Sequence, residues 1–220
     1  MTEFDYEKAR RNMVEQQVRP WEVLDQRVLD VLGELPREHF VPERYRRLAY
    51  ADLNIPLGHE QVMMTPKVEA RMLQALDVRP GERVLEVGTG SGYVTACLAR
   101  LGGRVHSVEI FEDLRQRAGE RLAALGVGDV VLETGDAARG WERHAPYDVI
   151  AVTGSLPEME PAFQEQLAVG GRLFVIVGEP PVMEARLYTR VADDAWSCED
   201  LFETAIPPLL NARRPRRFVL

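Results

Sequence analysis

Residues 84–93 read VLEVGTGSGY, an apolar run that enters Gly88, Gly90 and Gly92 before a helical stretch. Glycines at alternate positions let the backbone turn sharply and leave no Cβ between the chain and a ligand. The helix that follows offers unpaired N–H groups to the same spot. A dinucleotide fingerprint needs G-x-G-x-x-G, and Tyr93 stands where its last glycine would be. A P-loop needs a following G-K-[ST], which is absent here. Glu86, two residues before Gly88, suits a ligand with positive charge and disfavours a pyrophosphate. Glu109 closes RVHSVE, 21 residues after Gly88. A carboxylate there can accept both hydroxyls of a ribose. Asp136, in TGDA, follows the next apolar run. Taken singly, these are a tight turn, a solvated strand end and an N-cap. Taken together, at the ends of three successive strands, they point to a cationic nucleoside held outside the carboxyl ends of a sheet.

Such a site needs a parallel sheet. Residues 83–87, 104–108, 129–134, 147–152 and 172–177 read as strands of almost unbroken apolar character. Helical stretches at 93–101, 111–125 and 157–167 alternate with them. That alternation marks a sheet covered on both faces. Residues 185–192 and 198–206 read as a closing antiparallel hairpin, joined through Asp193, Asp194 and Ala195. Before residue 78 the texture is helical and broken by prolines. Helices are expected over 6–17 and 23–35, the second with Val23, Leu24, Val28, Leu29, Val31 and Leu32 at helical spacing and Pro36 at its end. Residues 40–66 are rich in Pro and Gly and read as a long irregular segment, of the kind that carries function more often than filler. A helix over 66–76 opens at Pro66. The expectation is one α/β domain over 1–220, with 1–78 as a helical N-terminal region and 79–220 as the ligand-binding core.

Composition narrows the class. The 220 residues are 45% hydrophobic and 28% charged, an ordinary globular balance that excludes wholesale disorder. A net charge of −8 supplies no global field toward nucleic acid or an anionic membrane. The two cysteines, Cys97 and Cys198, form no CxxC, and His39, His106 and His144 show no metal-ligand spacing, so neither a disulfide framework nor a metal site is expected. Cys97 reads as a small buried hydrophobe. The first residues carry charge and no apolar h-region, and no run reaches the ~18 apolar residues of a membrane span. The cytoplasm is the expected compartment. Arg213, Arg214, Arg216 and Arg217 read as a solvated tail.

The E-x-G-x-G-x-G pattern at 86–92 closely resembles the S-adenosylmethionine-dependent methyltransferases of the Rossmann-like class. The resemblance implies that fold and S-adenosyl-L-methionine as cofactor. It places Glu86, Gly88, Thr89, Gly90, Ser91, Gly92, Glu109, Ile110, Asp136 and Ala137 around it. In that class the Asp136 position reads the exocyclic amine of adenine, with Ala137 near the ring. The leader is more specific. MVEQQV (13–18), LDQRVLDVL (24–32), PREHFVP (36–42) and AYADLNIPLGHEQ (49–61) resemble, in order and spacing, the protein-L-isoaspartate O-methyltransferases. YDVIAVTGSLPEMEPAFQEQLAVGGRLFVIVG (147–178) continues the resemblance.

This second resemblance implies methyl transfer to the α-carboxylate of an L-isoaspartyl residue in a damaged protein, with a protein or peptide as partner; the sequence itself does not give the oligomeric state, and a monomer is the working expectation. It implies a leader that folds over the cofactor as lid and peptide groove. A carboxylate nucleophile is already ionised at neutral pH, so the task is alignment and exclusion of water rather than general-base catalysis. The chain departs from the family's G-Q-T-(I/V)-S-x-P segment: it reads Glu60-Gln61-Val62-Met63-Met64-Thr65-Pro66. Met64 occupies the serine position, and a thioether cannot donate a hydrogen bond. Gln61, Met64 and Thr65 are the acceptor-side candidates, with Thr65 as a replacement hydroxyl. His59 matches a family histidine and is read as a turn residue held by backbone. These substitutions leave two other readings: a methyltransferase of the same build acting on a small molecule or RNA, and a non-catalytic module that binds the cofactor.

Overall fold

The structure, a computed structural model, describes residues 4–214. The leader begins with α1 (Tyr6–Met13), capped by the Asp5 carboxylate, which accepts the Lys8 N–H at 2.9 Å. The coil then widens into a π turn over Val14–Val18 and tightens at Arg19–Trp21, so the helix expected over 6–17 is regular only as far as Met13. Helix α2 (Gln26–Glu34) starts three residues later than the apolar spacing suggests. The Asp25 side chain accepts the Arg27 N–H at 2.9 Å, so the cap sets the start. Leu24, upstream of that cap, is 75% exposed and is not part of the apolar face.

The segment expected to be irregular contains a small antiparallel hairpin, β1 (Ile55–Gly58) and β2 (Gln61–Met63). Its turn residues His59 and Glu60 both take left-handed conformations, with φ of 52° and 60°. Helix α3 (Pro66–Leu76) has the expected bounds. The core follows as β3 (Arg83–Val87), α4 (Tyr93–Arg100), β4 (Arg104–Glu109), α5 (Glu112–Ala124), β5 (Val130–Thr134), β6 (Tyr147–Leu156), α6 (Pro161–Glu165), β7 (Leu167–Glu179), β8 (Val182–Ala192) and β9 (Ala195–Glu203). Helix α6 is shorter than the stretch expected over 157–167, because Leu167 already belongs to β7 and pairs with Tyr147. The closing hairpin turns at Asp193 and Asp194, and its second strand lies at 195–203 rather than 198–206.

The seven-stranded sheet runs β5-β4-β3-β6-β7-β8-β9. The first five strands are parallel, and β8 and β9 are antiparallel additions. One apolar cluster, which includes Leu32, Phe40, Leu73 and Cys97, packs the leader and α3–α4 against one face. Another, with Leu85, Val108, Tyr147 and Phe163, fills the other. Strand order reverses direction at β3, with β4 on one side and β6 on the other. Sheets of this kind bind ligands above the carboxyl ends of the strands at such a switch point. The β6–β7 register shifts between Ala151 and Ser155, and Thr153 and Gly154 inside that break face the same point.

Candidate active site

A cleft of about 590 Å³, measured to its open mouth, lies over the ends of β3, β4 and β6. It gathers Gly88, Gly90, Glu109, Ile110, Asp136, Ala137 and Gln61, all singled out from the sequence. The glycine turn is shaped by packing as much as by space for a ligand. A Cβ on Gly88 would stand 2.6 Å from the Thr153 hydroxyl oxygen, which donates to the Val87 and Gly88 carbonyls. A Cβ on Gly92 would meet the Ala118 Cβ at 3.1 Å, so this glycine lets α5 approach the turn.

The Glu109 carboxylate is 5% exposed and accepts two backbone N–H groups, from Gly90 at 2.8 Å and Phe111 at 3.1 Å. Each oxygen retains a lone pair for another donor. Asp136 accepts the Ala138 N–H at 3.0 Å and the Asn211 side-chain amide at 2.9 Å. Two carboxylates at the ends of adjacent strands thus share one partly apolar cleft. That pair of acceptors fits a nucleoside whose hydroxyls and amine donate hydrogen bonds, so the residues present fit S-adenosylmethionine.

Glu86 is elsewhere. It is fully buried beneath the glycine turn, where Oε2 accepts the Ser107 and Thr95 hydroxyls at 2.5 Å each. Its other oxygen has no partner. Burial pushes its pKa up to about 8; the two hydroxyl bonds oppose that shift, and Glu109 and Glu69 add to it. Glu86 lines a smaller adjoining cavity together with Met64, Thr89 and Ser91. Gly88 and Gly90 border both spaces. Thr89 bonds Ser107 side chain to side chain at 2.6 Å, and the Ser91 hydroxyl accepts the Tyr93 N–H at 3.2 Å. Thr65 lines neither space, and its hydroxyl oxygen is buried with no partner.

The leader closes the cleft from above. Leu57 and Val62 of the β1–β2 hairpin line it, and the Leu57 methyl would lie 3.2 Å from a Cβ on Gly90. His59 is more than a turn residue: its ring stacks on Phe111 at 4.0 Å and its Nε2 lies 2.9 Å from Asp113. The Gln61 amide donates to the His59 carbonyl at 3.2 Å. Arg37, fully buried, fixes the acceptor segment by donating to the Met64 and Ala49 carbonyls at 2.6 and 2.7 Å and to Glu69. Burial pushes Glu69 up to about 7, with Arg37 pulling it down.

Sequence reasoning missed several lining residues. Phe111, Thr153, Leu209 and Leu210 belong to the cleft, and Asn211 holds Asp136. Phe111, two positions after Glu109, was open to discovery from the strand-end spacing. Leu209 to Asn211 come from far along the chain and carry no local signal. Arg213 lies 3.9 Å from Glu158, while Arg216 and Arg217 fall outside the described residues. Cys97 is fully buried, as expected.

Comparison with known proteins gives the same picture. The family model "Protein-L-isoaspartate(D-aspartate) O-methyltransferase (PCMT)" matches residues 8–213. Protein-L-isoaspartate O-methyltransferase 1 of Rhodopseudomonas palustris (strain HaA2) is 42% identical over 203 residues, covering 92% of this chain and 83% of its own. The Aeropyrum pernix protein-L-isoaspartate O-methyltransferase is 43% identical over 210 residues, covering 94% and 81%. In fold, the chain is similar to a Plasmodium falciparum putative protein-L-isoaspartate O-methyltransferase crystallised with S-adenosyl-L-homocysteine, with TM-score 0.79, 20% identity, and 94% and 99% coverage. The glycine turn, the strand-end carboxylates and the leader that roofs them are therefore those of a protein-L-isoaspartate(D-aspartate) O-methyltransferase, the family to which this chain belongs.

Proposed function

We propose that the chain carries out its S-adenosylmethionine-dependent methylation of L-isoaspartyl residues in the cleft above β3, β4 and β6, with Glu109 and Asp136 holding the cofactor and the β1–β2 hairpin forming the acceptor side. The carrying observation is that both carboxylates open into one cleft roofed by Leu57, Gln61 and Val62. When bound, S-adenosylmethionine supplies a methyl group on a sulfonium sulfur. Glu109 accepts the ribose hydroxyls with the lone pairs its two backbone bonds leave free. Asp136, steadied by Asn211, accepts the adenine amine, and Ala137 packs beside it. Leu57 and Val62 exclude water.

Gln61, which lines the cleft, is the acceptor-side donor. Met64 packs the wall of the adjoining cavity and is held by Arg37 through its carbonyl. Thr65 supplies no replacement hydroxyl, since it lines neither space. The acceptor carboxylate arrives ionised, so the residues here position it and withhold water. The monomer is taken as the working unit, a reading supported by a cleft whose lining residues all come from one chain. Both cysteines are free, and no helix among the described residues is long and apolar enough to cross a membrane; a reducing cytoplasm suits such a chain.

Calorimetric titration with S-adenosylhomocysteine tests the cofactor half. Binding at one site per chain, weakened by Glu109→Ala and by Asp136→Ala, is the expected result. Affinity that both variants leave unchanged would remove these assignments.

A further inference from the structure

The opposite end of the sheet carries a second pocket. Arg83 and Arg104, at the start of β3 and β4, line it with His106, Arg143 and His144. The three guanidinium groups are held in place. Arg83 donates through Nη1 to the His144 and Pro146 carbonyls at 3.2 Å each. Arg104 donates through Nε and Nη2 to the Gly81 carbonyl at 3.0 and 2.8 Å. Arg143 meets Glu133 at 2.5 Å through Nη1. A guanidinium carries five N–H donors, so each keeps donors beyond these contacts.

The histidine rings stack at 4.1 Å, and the His106 Nδ1 is buried with no partner. Burial, His144 and Arg83 hold the His106 pKa below its ordinary value, against the pull of Glu133. The carboxylates nearby are already engaged. Glu133 of β5 takes Trp141 Nε1 at 3.0 Å, His144 Nε2 at 3.1 Å and Arg143. Asp148 of β6 takes the backbone N–H of Arg83 at 2.8 Å, and the Tyr147 hydroxyl donates to the Trp141 carbonyl.

We propose that this pocket is an anion site for a small, multiply charged oxyanion of the phosphate class. Three permanent positive charges and two imidazoles converge on one concavity of a chain whose net charge is −8. Planar guanidinium forks match phosphate oxygens. The acidic remainder of the surface opposes a long polyanion, which selects a compact ligand such as diphosphate. His106, Glu133 and His144 place ligand atoms within 4.8 Å of one another, a spacing that also suits a metal ion. Glu133 is committed, however, and three guanidinium groups repel a divalent cation.

The test is calorimetric titration of the full chain with inorganic pyrophosphate near ~0.15 M salt. One saturable site is expected, and it weakens as the salt concentration is raised. Affinity should fall about tenfold or more in Arg104→Gln and in Arg143→Gln, and Arg104→Lys should recover part of it. Both variants should keep methyl transfer, and S-adenosylhomocysteine should not displace the pyrophosphate. No saturable binding, binding indifferent to both arginine substitutions, or displacement by S-adenosylhomocysteine would overturn the proposal. So would Zn²⁺ binding at this pocket that is lost in His106→Gln while pyrophosphate fails to bind.

Discussion

Glu109 and Gly90 are joined across the floor of the cleft: one oxygen of the Glu109 carboxylate accepts the Gly90 N–H at 2.8 Å. The strand-end acid therefore organises the glycine turn as well as lining the cleft. Its second oxygen takes the Phe111 N–H, so the carboxylate is locked in one orientation before anything binds. Locking a charged acceptor in this way lowers the ordering cost of binding.

Glu109→Ala removes both roles. A hydrogen bond to a charged group contributes about 1.5–3 kcal/mol, so the dissociation constant for S-adenosylhomocysteine should rise at least about tenfold. Calorimetry reads this directly. An unchanged constant would mean that the ribose lies elsewhere.

Asn211→Ala tests the residue that crosses the cleft from the end of the described chain. It removes the amide that holds Asp136 at 2.9 Å. A neutral donor of this kind is worth about 0.5–1.5 kcal/mol, so KM for the cofactor should rise by roughly two- to tenfold with kcat little changed. A fall in kcat alone, at constant KM, would contradict a binding role.

Gly92→Ala tests the packing reason for the third glycine. Its φ is 85°, and the new Cβ would stand 3.1 Å from the Ala118 Cβ. Left-handed strain in a non-glycine residue plus this contact should cost about 1–3 kcal/mol of stability. The urea midpoint measures it, and an unshifted midpoint would show that α5 moves aside freely.

Glu86 makes the stability of the ligand-free protein depend on pH. Its pKa rises from an ordinary 4.5 to about 8 on folding, so the folded state binds this proton more tightly than the unfolded state. Its contribution is fully present below about pH 4.5 and is lost as the pH climbs through about 8. Glu69, pushed up to about 7, acts with the same sign. Glu86→Gln should flatten the upper part of that decline and be more stable than the parent chain above about pH 8. Urea midpoints across this range are the measurement, and parallel profiles for the two chains would refute the buried, protonated carboxyl.

The sheet could be read from the sequence because buried parallel strands are nearly continuous apolar runs. Residues 83–87 carry that pattern and are β3 in the structure. The place of Glu109 and Asp136 at the cleft was legible for the same reason, since Glu109 closes such a run and Asp136 follows the next. The β1–β2 hairpin was not, because its turn places His59 and Glu60 in left-handed conformations without the Asn or Gly that usually announces one. Glu86 shows another limit: its spacing suggested ligand contact, while its burial under Thr95 and Ser107 depends on how α4 and β4 pack. His106 and His144 are 38 residues apart in sequence, and only the fold stacks their rings.

On this reading the cleft methylates an isoaspartyl carboxylate with Met64 at the position where the family resemblance implies a serine. The most direct measurement is transfer of labelled methyl from S-adenosylmethionine to a peptide containing one L-isoaspartyl residue, beside the same peptide with ordinary aspartate. The expected result is a base-labile methyl ester on the isoaspartyl peptide alone, lost together with cofactor binding in Glu109→Ala. Tight cofactor binding with no ester on either peptide, or equal ester on both, would contradict it.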